Sequence, residues 1–183
     1  MDEGTARLLL EGRPGIGKTT VARRLLHLLK EAGVPVGGFT TVELRTGGRR
    51  EGFLVEATSG AQALLAHVDL PGPPRVGRYG VDLTAFERVA LPALRTPRTS
   101  GVMVVDELGK MELASAAFRD AVLQLLERDV AVVATVHHAR DRFTEGLKRR
   151  PDVRVVRVTE ATRDDLPEQL VDRLVGTPQG EEP

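Results

Sequence analysis

Residues 12–19 read GRPGIGKT, which meets in full the spacing of glycine, four residues, glycine, lysine and then serine or threonine. The flanks matter as much as the motif. A short apolar run, ARLLLEG, leads into the glycines. Beyond them Val21, Leu25, Leu26, Leu28 and Leu29 recur at helical spacing until Gly33 and Pro35 end the segment. Strand, tight glycine loop and amphipathic helix in that order leave few folds open, because the loop must wrap an anion while the helix aims its N-terminus at it. Gly15 and Gly17 let backbone N–H groups approach phosphate oxygens that a side chain would block. Lys18 is the residue to reach the β- and γ-phosphates, Thr19 to coordinate Mg²⁺, and Thr20 to touch the α-phosphate. Gly12, Arg13, Pro14, Gly15, Ile16, Gly17, Lys18, Thr19 and Thr20 together form the expected nucleotide-binding set.

A second stretch, GVMVVDELGKMEL at 101–113, answers to the first. Four apolar residues run into two adjacent carboxylates, Asp106 and Glu107. A phosphate-binding loop needs a carboxylate at the end of a nearby apolar strand to hold Mg²⁺, and Asp106 stands where that is required. The plainer alternative is a solvated strand end. Glu107 adds a group able to orient and deprotonate an attacking water, which with Lys18 gives the expected catalytic pair. A structural or substrate-contacting glutamate is the competing reading.

The rest of the chain alternates strand and helix, the pattern of an α/β fold around a largely parallel sheet. VGGFTTVELRTGGRREGFLVEAT reads as two strands around the turn pair Gly47–Gly48, so an antiparallel hairpin interrupts the parallel order. Residues 69–80, rich in proline and glycine, read as a loop. Asp82 is placed to cap a helix to about Arg95 that Pro92 kinks or shortens. Further helices are expected over 115–127 and from a Thr162 cap to about Val175. Strands are expected over 102–105, over 130–136 and in VRVVRV, with a basic irregular stretch over 137–151. A chain of 183 residues suits one domain, here 1–176, with 177–183 as a frayed tail.

Composition removes whole classes of chemistry. The chain has no cysteine, hence no disulfide, thiolate metal site or cysteine nucleophile. Twenty-six basic residues balance 26 acidic ones, so no global field favours nucleic acid or an anionic membrane. No segment approaches the length of a membrane span, and a soluble, cytoplasmic protein is expected.

GRPGIGKTT, GGFTTVELRTGGRREGFLV, RVGRYGVDLTAFE and VVDELGKMELASAAF together resemble the small P-loop nucleoside-triphosphatase family, first described from thermophiles and including a human cancer-related homologue. The resemblance runs from about Ala6 to Val175. It implies a P-loop NTPase fold, with a mostly parallel central sheet, an antiparallel hairpin and helices on both faces. It also implies slow, Mg²⁺-dependent hydrolysis of ATP, GTP and other nucleoside triphosphates. The Asp106–Glu107 pair is similar to that of P-loop ATPases with an additional catalytic glutamate.

Other residues have two readings each. Lys110, with Glu112 just past the acid pair, is a phosphate contact or a solvated lysine. Arg75, Arg78 and Tyr79 close over the nucleotide or belong to a surface loop. Thr135 and His137, at the end of VAVVATV, sense the γ-phosphate or only end a strand. Arg140, with Arg142, Lys148, Arg149 and Arg150, forms a basic segment that could act as a lid. A transition-state cation is worth roughly 10³–10⁵ in rate, so the placement of these arginines bears directly on turnover. Besides hydrolysis, two functions fit the sequence: a small-molecule kinase, in which Glu107 serves an acceptor hydroxyl, and a nucleotide-dependent switch associated with nucleic acid through the basic segment. Scarce aromatics weigh against a single-strand binder. The sequence carries no base-selecting motif and does not give the oligomeric state.

Overall fold

The computed structural model describes residues 5–95, 101–137 and 141–175. The tail at 177–183 lies outside them. Nine strands form one sheet: β1 (Arg7–Gly12), β2 (Val36–Thr46), β3 (Arg49–Ala57), β4 (Gln62–His67), β5 (Arg75–Val76), β6 (Tyr79–Val81), β7 (Val102–Leu108), β8 (Ala131–His137) and β9 (Arg154–Arg157). Their order is β5-β6-β4-β3-β2-β7-β8-β1-β9. From β2 to β9 the neighbours are parallel, and from β2 to β5 they are antiparallel.

Alternation along the parallel strands explains why helices cover both faces. Leu8 and Leu10 of β1, with Val102 and Val104 of β7, face α1 (Lys18–Glu31) and α5 (Leu166–Val175). Leu9, Met103 and Val105 face α2 (Leu83–Ala93) and α3 (Ala116–Leu126). On that second face Phe39, Phe86 and Phe118 meet at ring separations of 5.0–5.7 Å. Each such aromatic contact adds about 1 kcal/mol to the burial itself. A strand buried on both faces reads as a continuous apolar run, which is what LLL and VMVV are.

Several boundaries differ from expectation. Strand β7 does not stop before its acids but continues to Leu108, and its ladder to β8 skips from Val105 to Leu108. The antiparallel part is larger than a hairpin: β4 joins β3, and the glycine- and proline-rich stretch contributes β5 and β6. Two-residue and three-residue strands at a sheet edge are too short to leave a periodic signal. Helix α4 (Arg142–Lys148), capped by Asp141, occupies the stretch expected to be irregular. Thr162 does not cap α5, which starts at Leu166. Its hydroxyl instead accepts from the Thr159 N–H within the preceding turn. Asp82 and Ser115 do cap α2 and α3, by accepting from Ala85 and Phe118 N–H groups. No helix among the described residues is long and apolar enough to cross a membrane.

Gly38 joins the two halves of the sheet. Its φ is +95°, and a Cβ there would lie 1.9 Å from the Val104 carbonyl oxygen. Any side chain would force β2 away from β7, so glycine is required at this seam.

Candidate active site

The carboxyl ends of β1, β7 and β8 converge on the loop between β1 and α1. Gly15 and Gly17 take positive φ, and Gly17 stands at the N-terminus of α1 with no side-chain cap. The first-turn N–H groups of a helix lack intrahelical acceptors, so this end of α1 is left open to an anion. Lys18, 7% exposed, curls back and donates to the carbonyl oxygens of Gly12 at 3.0 Å and Arg13 at 3.4 Å.

Asp106 is fully buried and surrounded by hydroxyls. Thr135 donates to Oδ1 at 2.7 Å, Thr19 to Oδ1 at 3.2 Å, and Thr41 reaches Oδ2 at 3.4 Å. Burial drives its pKa up, while the hydroxyls and the charge of Arg23 oppose the shift. Glu107 is half-buried. Burial raises its pKa first and the adjacent Asp106 second, against a downward pull from Lys18. Glu112 is 4% exposed and held at about 8 by burial and the charges of Glu107 and Asp106, against its backbone hydrogen bonds. A Cβ on Gly109 would lie 2.7 Å from Glu107 Oε1 and 2.8 Å from Glu112 Oε2, so these two carboxylates crowd one backbone position that only glycine leaves room for.

The donor set around Asp106 is all oxygen, carboxylate and hydroxyl, which suits a hard cation such as Mg²⁺. Among the described residues no cluster of three or more His, Asp or Glu side chains is arranged to hold a metal.

Two cavities flank the loop. One of about 820 Å³ takes in Pro14, Gly15, Gly17, Lys18, Thr19 and Thr20, with Glu107, Lys110, Glu112 and His137, and reaches across to the antiparallel strands. One of about 490 Å³ lies on the other side, between Gly12, Arg13 and Ile16 and the segment 157–161 that leaves the end of β9. Here Arg163 donates to the Ile16 carbonyl at 3.3 Å and ties that segment to the loop.

The remaining sequence candidates separate clearly. Lys110 and His137 line the larger cavity. Thr135 is 1% exposed and gives its hydroxyl to Asp106, so it positions the carboxylate rather than facing the cavity. Arg75 and Arg78 do not line it: Arg75 donates to the carbonyls of Leu70 and Arg78, and Arg78 to that of Arg50. Arg140 lies outside the described residues. In the basic segment Lys148 is paired with Glu11 and Glu145, and Arg150 with Glu127 and Asp152, which leaves less free positive charge than the sequence suggests. Sequence reasoning missed Arg23, Thr41, Arg45, Arg50 and Phe53, all on the cavity wall. Arg23 alone had a local signal, lying one helical turn after Thr19.

The sequence profile of a family described as NTPase matches residues 7–171. Nucleoside-triphosphatase THEP1 of Thermotoga maritima is 38% identical over 169 residues, 92% of this chain and 95% of that protein. The human cancer-related nucleoside-triphosphatase is 42% identical over 178 residues, 90% of this chain and 94% of that one. The solution structure of a human cancer-related nucleoside triphosphatase superposes with a TM-score of 0.82 at 40% identity, covering 96% of this chain and 100% of that one. The crystal structure of THEP1 from Aquifex aeolicus gives 0.80 at 31% identity, covering 92% and 98%. With the match running from the first strand into the last helix and the P-loop fold shared, the chain belongs to the NTPase family.

Proposed function

We propose that this protein hydrolyses nucleoside triphosphates to nucleoside diphosphate and phosphate, slowly and with little base preference. The observation that carries the reading is the convergence of Lys18, Thr19 and Glu107 on one cavity, with Asp106 buried behind Thr19. The uncapped start of α1 and the loop amides hold the triphosphate. Lys18 exchanges its loop carbonyls for β- and γ-phosphate oxygens. Thr19 and Asp106 are the residues to hold Mg²⁺. Bound there, the cation neutralises charge on the phosphates. Glu107 accepts a proton from water as the water oxygen bonds to the γ-phosphorus and the bond to the bridging oxygen breaks. The burial and the neighbouring Asp106 carboxylate that raise its pKa bring it nearer the operating pH, which favours a general base.

The smaller cavity suits the nucleoside. Its wall includes Arg157, Val158, Thr159, Glu160 and Ala161 beside the loop, and broad nucleotide use rests on a sequence that carries no base-selecting motif. The names of the relatives point the same way. The test is phosphate release from ATP, GTP, CTP and UTP with Mg²⁺, for the wild type and Glu107→Gln. Release from all four, reduced about 10²–10⁴-fold in the variant while nucleotide binding persists, is expected. Full activity in Glu107→Gln would remove the proposed base.

A further inference from the structure

The larger cavity holds more than a triphosphate needs. With the nucleoside in the smaller cavity and the γ-phosphate at Lys18 and Glu107, the substrate occupies only the near wall of a space of about 820 Å³. The far wall belongs to the antiparallel strands. Phe53 of β3 and Tyr79 of β6 meet there edge to face at 5.3 Å, partly exposed. The chain has five phenylalanines, one tyrosine and no tryptophan, and three of those phenylalanines make the core cluster. Placing two of the remaining rings on a cleft wall leaves little aromatic surface for packing elsewhere.

Cations line this wall and the facing side of the cleft, among the carboxylates of Glu43, Glu107 and Glu112. Lys110 is exposed and has no carboxylate partner among the described residues, and Arg23 donates to the Thr41 carbonyl near Asp106. Arg45 and Arg50 share the single carboxylate of Glu43. The Arg50 guanidinium lies 5.5 Å from the Phe53 ring centre, and its buried Nε has no hydrogen-bond partner. Rings flanked by underneutralised cations suit a flat molecule that carries negative charge.

We propose that the far half of this cleft binds a second small molecule, a planar heteroaromatic anion, with its ring against Phe53 and Tyr79 and its charge toward Arg50 and Lys110. The site rests on the nucleotide reading, because the triphosphate fixes which half of the cleft is left over.

The experiment is a calorimetric titration of the full chain, held with Mg²⁺ and a saturating non-hydrolysable ATP analogue. The probes are AMP, GMP, CMP and UMP, with inorganic phosphate and adenosine as the two fragments. At least one monophosphate is expected to bind once per chain, about tenfold or more tighter than either fragment. Tyr79→Leu and the exposed Lys110→Ala should each weaken it about fivefold or more, since each removes roughly 1 kcal/mol or more of contact. Tyr79 is the sole tyrosine in a chain without tryptophan, so its fluorescence reports occupancy independently. Binding no tighter than the fragments overturns the site, as does binding indifferent to both substitutions. If ATP is still hydrolysed and the analogue still binds, the hydrolase reading survives that loss. A chain that neither binds the analogue nor releases phosphate overturns both.

Discussion

On the parallel side of the sheet, the groups that meet the candidate phosphate site come from two short segments, 12–20 and 106–107. On the antiparallel side they come singly: Thr41 from β2, Phe53 from β3 and Tyr79 from β6. The first kind of site is local. Loop, helix start and strand end are each fixed by neighbouring residues, and one parallel ladder brings the ends together. The second kind exists only because β2, β3, β4 and β6 pair in register. A function built on the first half can persist while the second half changes what else the cleft admits.

The sharpest way to break that comparison is to remove one cation from each half. Lys18→Ala should lower phosphate release about 10³-fold or more, because a preorganised cation at the phosphates supplies much of the rate enhancement in phosphoryl transfer. Arg50→Ala, on the far wall, should cost no more than about tenfold, because Arg50 is paired with Glu43 away from the loop. Steady-state kinetics at saturating Mg²⁺ and ATP decides it. Equal losses would mean that the antiparallel wall takes part in the hydrolytic step.

The seam between the halves can be attacked through stability. Gly38→Ala sets a Cβ against the Val104 carbonyl at a backbone angle that L side chains rarely adopt. A cost on the order of 3 kcal/mol is expected, as for other severe backbone clashes, read as a fall in the urea midpoint. A change below about 1 kcal/mol would show that β2 and β7 separate easily, and that the two halves are less tightly joined than their ladder implies.

Legibility follows the same division. GRPGIGKT and VVDE can be read because each places its groups within a few residues, and LLL and VMVV because strands buried on both faces lose their polar alternation. Thr135 and Arg75 show where reading fails. Thr135 sits at a strand end where a phosphate sensor is plausible, yet it turns to the Asp106 carboxylate on the neighbouring β7, and nothing in VAVVATV encodes that direction. Arg75 lies in a loop rich in cations, yet its guanidinium closes its own turn by binding Leu70 and Arg78 carbonyls. The wall made by Thr41, Arg50 and Phe53 depends on pairing between strands, including a β4 that left no clear mark in the sequence.

The buried acids offer a pH test of the near half alone. Glu112 has its pKa raised from 4.5 to about 8. Below 4.5 the folded and unfolded chains both hold its proton. Between 4.5 and about 8 the unfolded chain releases it while the folded chain keeps it, so the native state binds more protons and loses stability as pH rises. In the absence of Mg²⁺ and nucleotide, the midpoint of thermal unfolding should therefore fall from pH 5 to pH 8. Glu112→Gln should flatten that slope by about 3.5 kcal/mol over the range. Asp106 and Glu107, whose pKa values are raised in the same direction, contribute with the same sign. An unchanged profile would mean that Glu112 is ionised in the folded protein, paired with a cation that then belongs to the site.

The smallest expected effect lies at the outer edge of the antiparallel half. Arg75 is exposed, and its contacts are two carbonyls within its own loop. Exposed contacts of this kind contribute little, because water replaces the acceptor's partner when the side chain is removed. Arg75→Ala should shift stability by no more than about 0.5 kcal/mol and leave ATP turnover as it was. Binding of a monophosphate in the far cleft should weaken less than in Lys110→Ala, since Arg75 does not line that space. A large loss of turnover in Arg75→Ala would require the 69–80 segment to reorganise over bound nucleotide and carry this arginine to the phosphates. In that event the antiparallel half would be a moving cover for the reaction, and the division between the two halves would hold only for the protein without substrate.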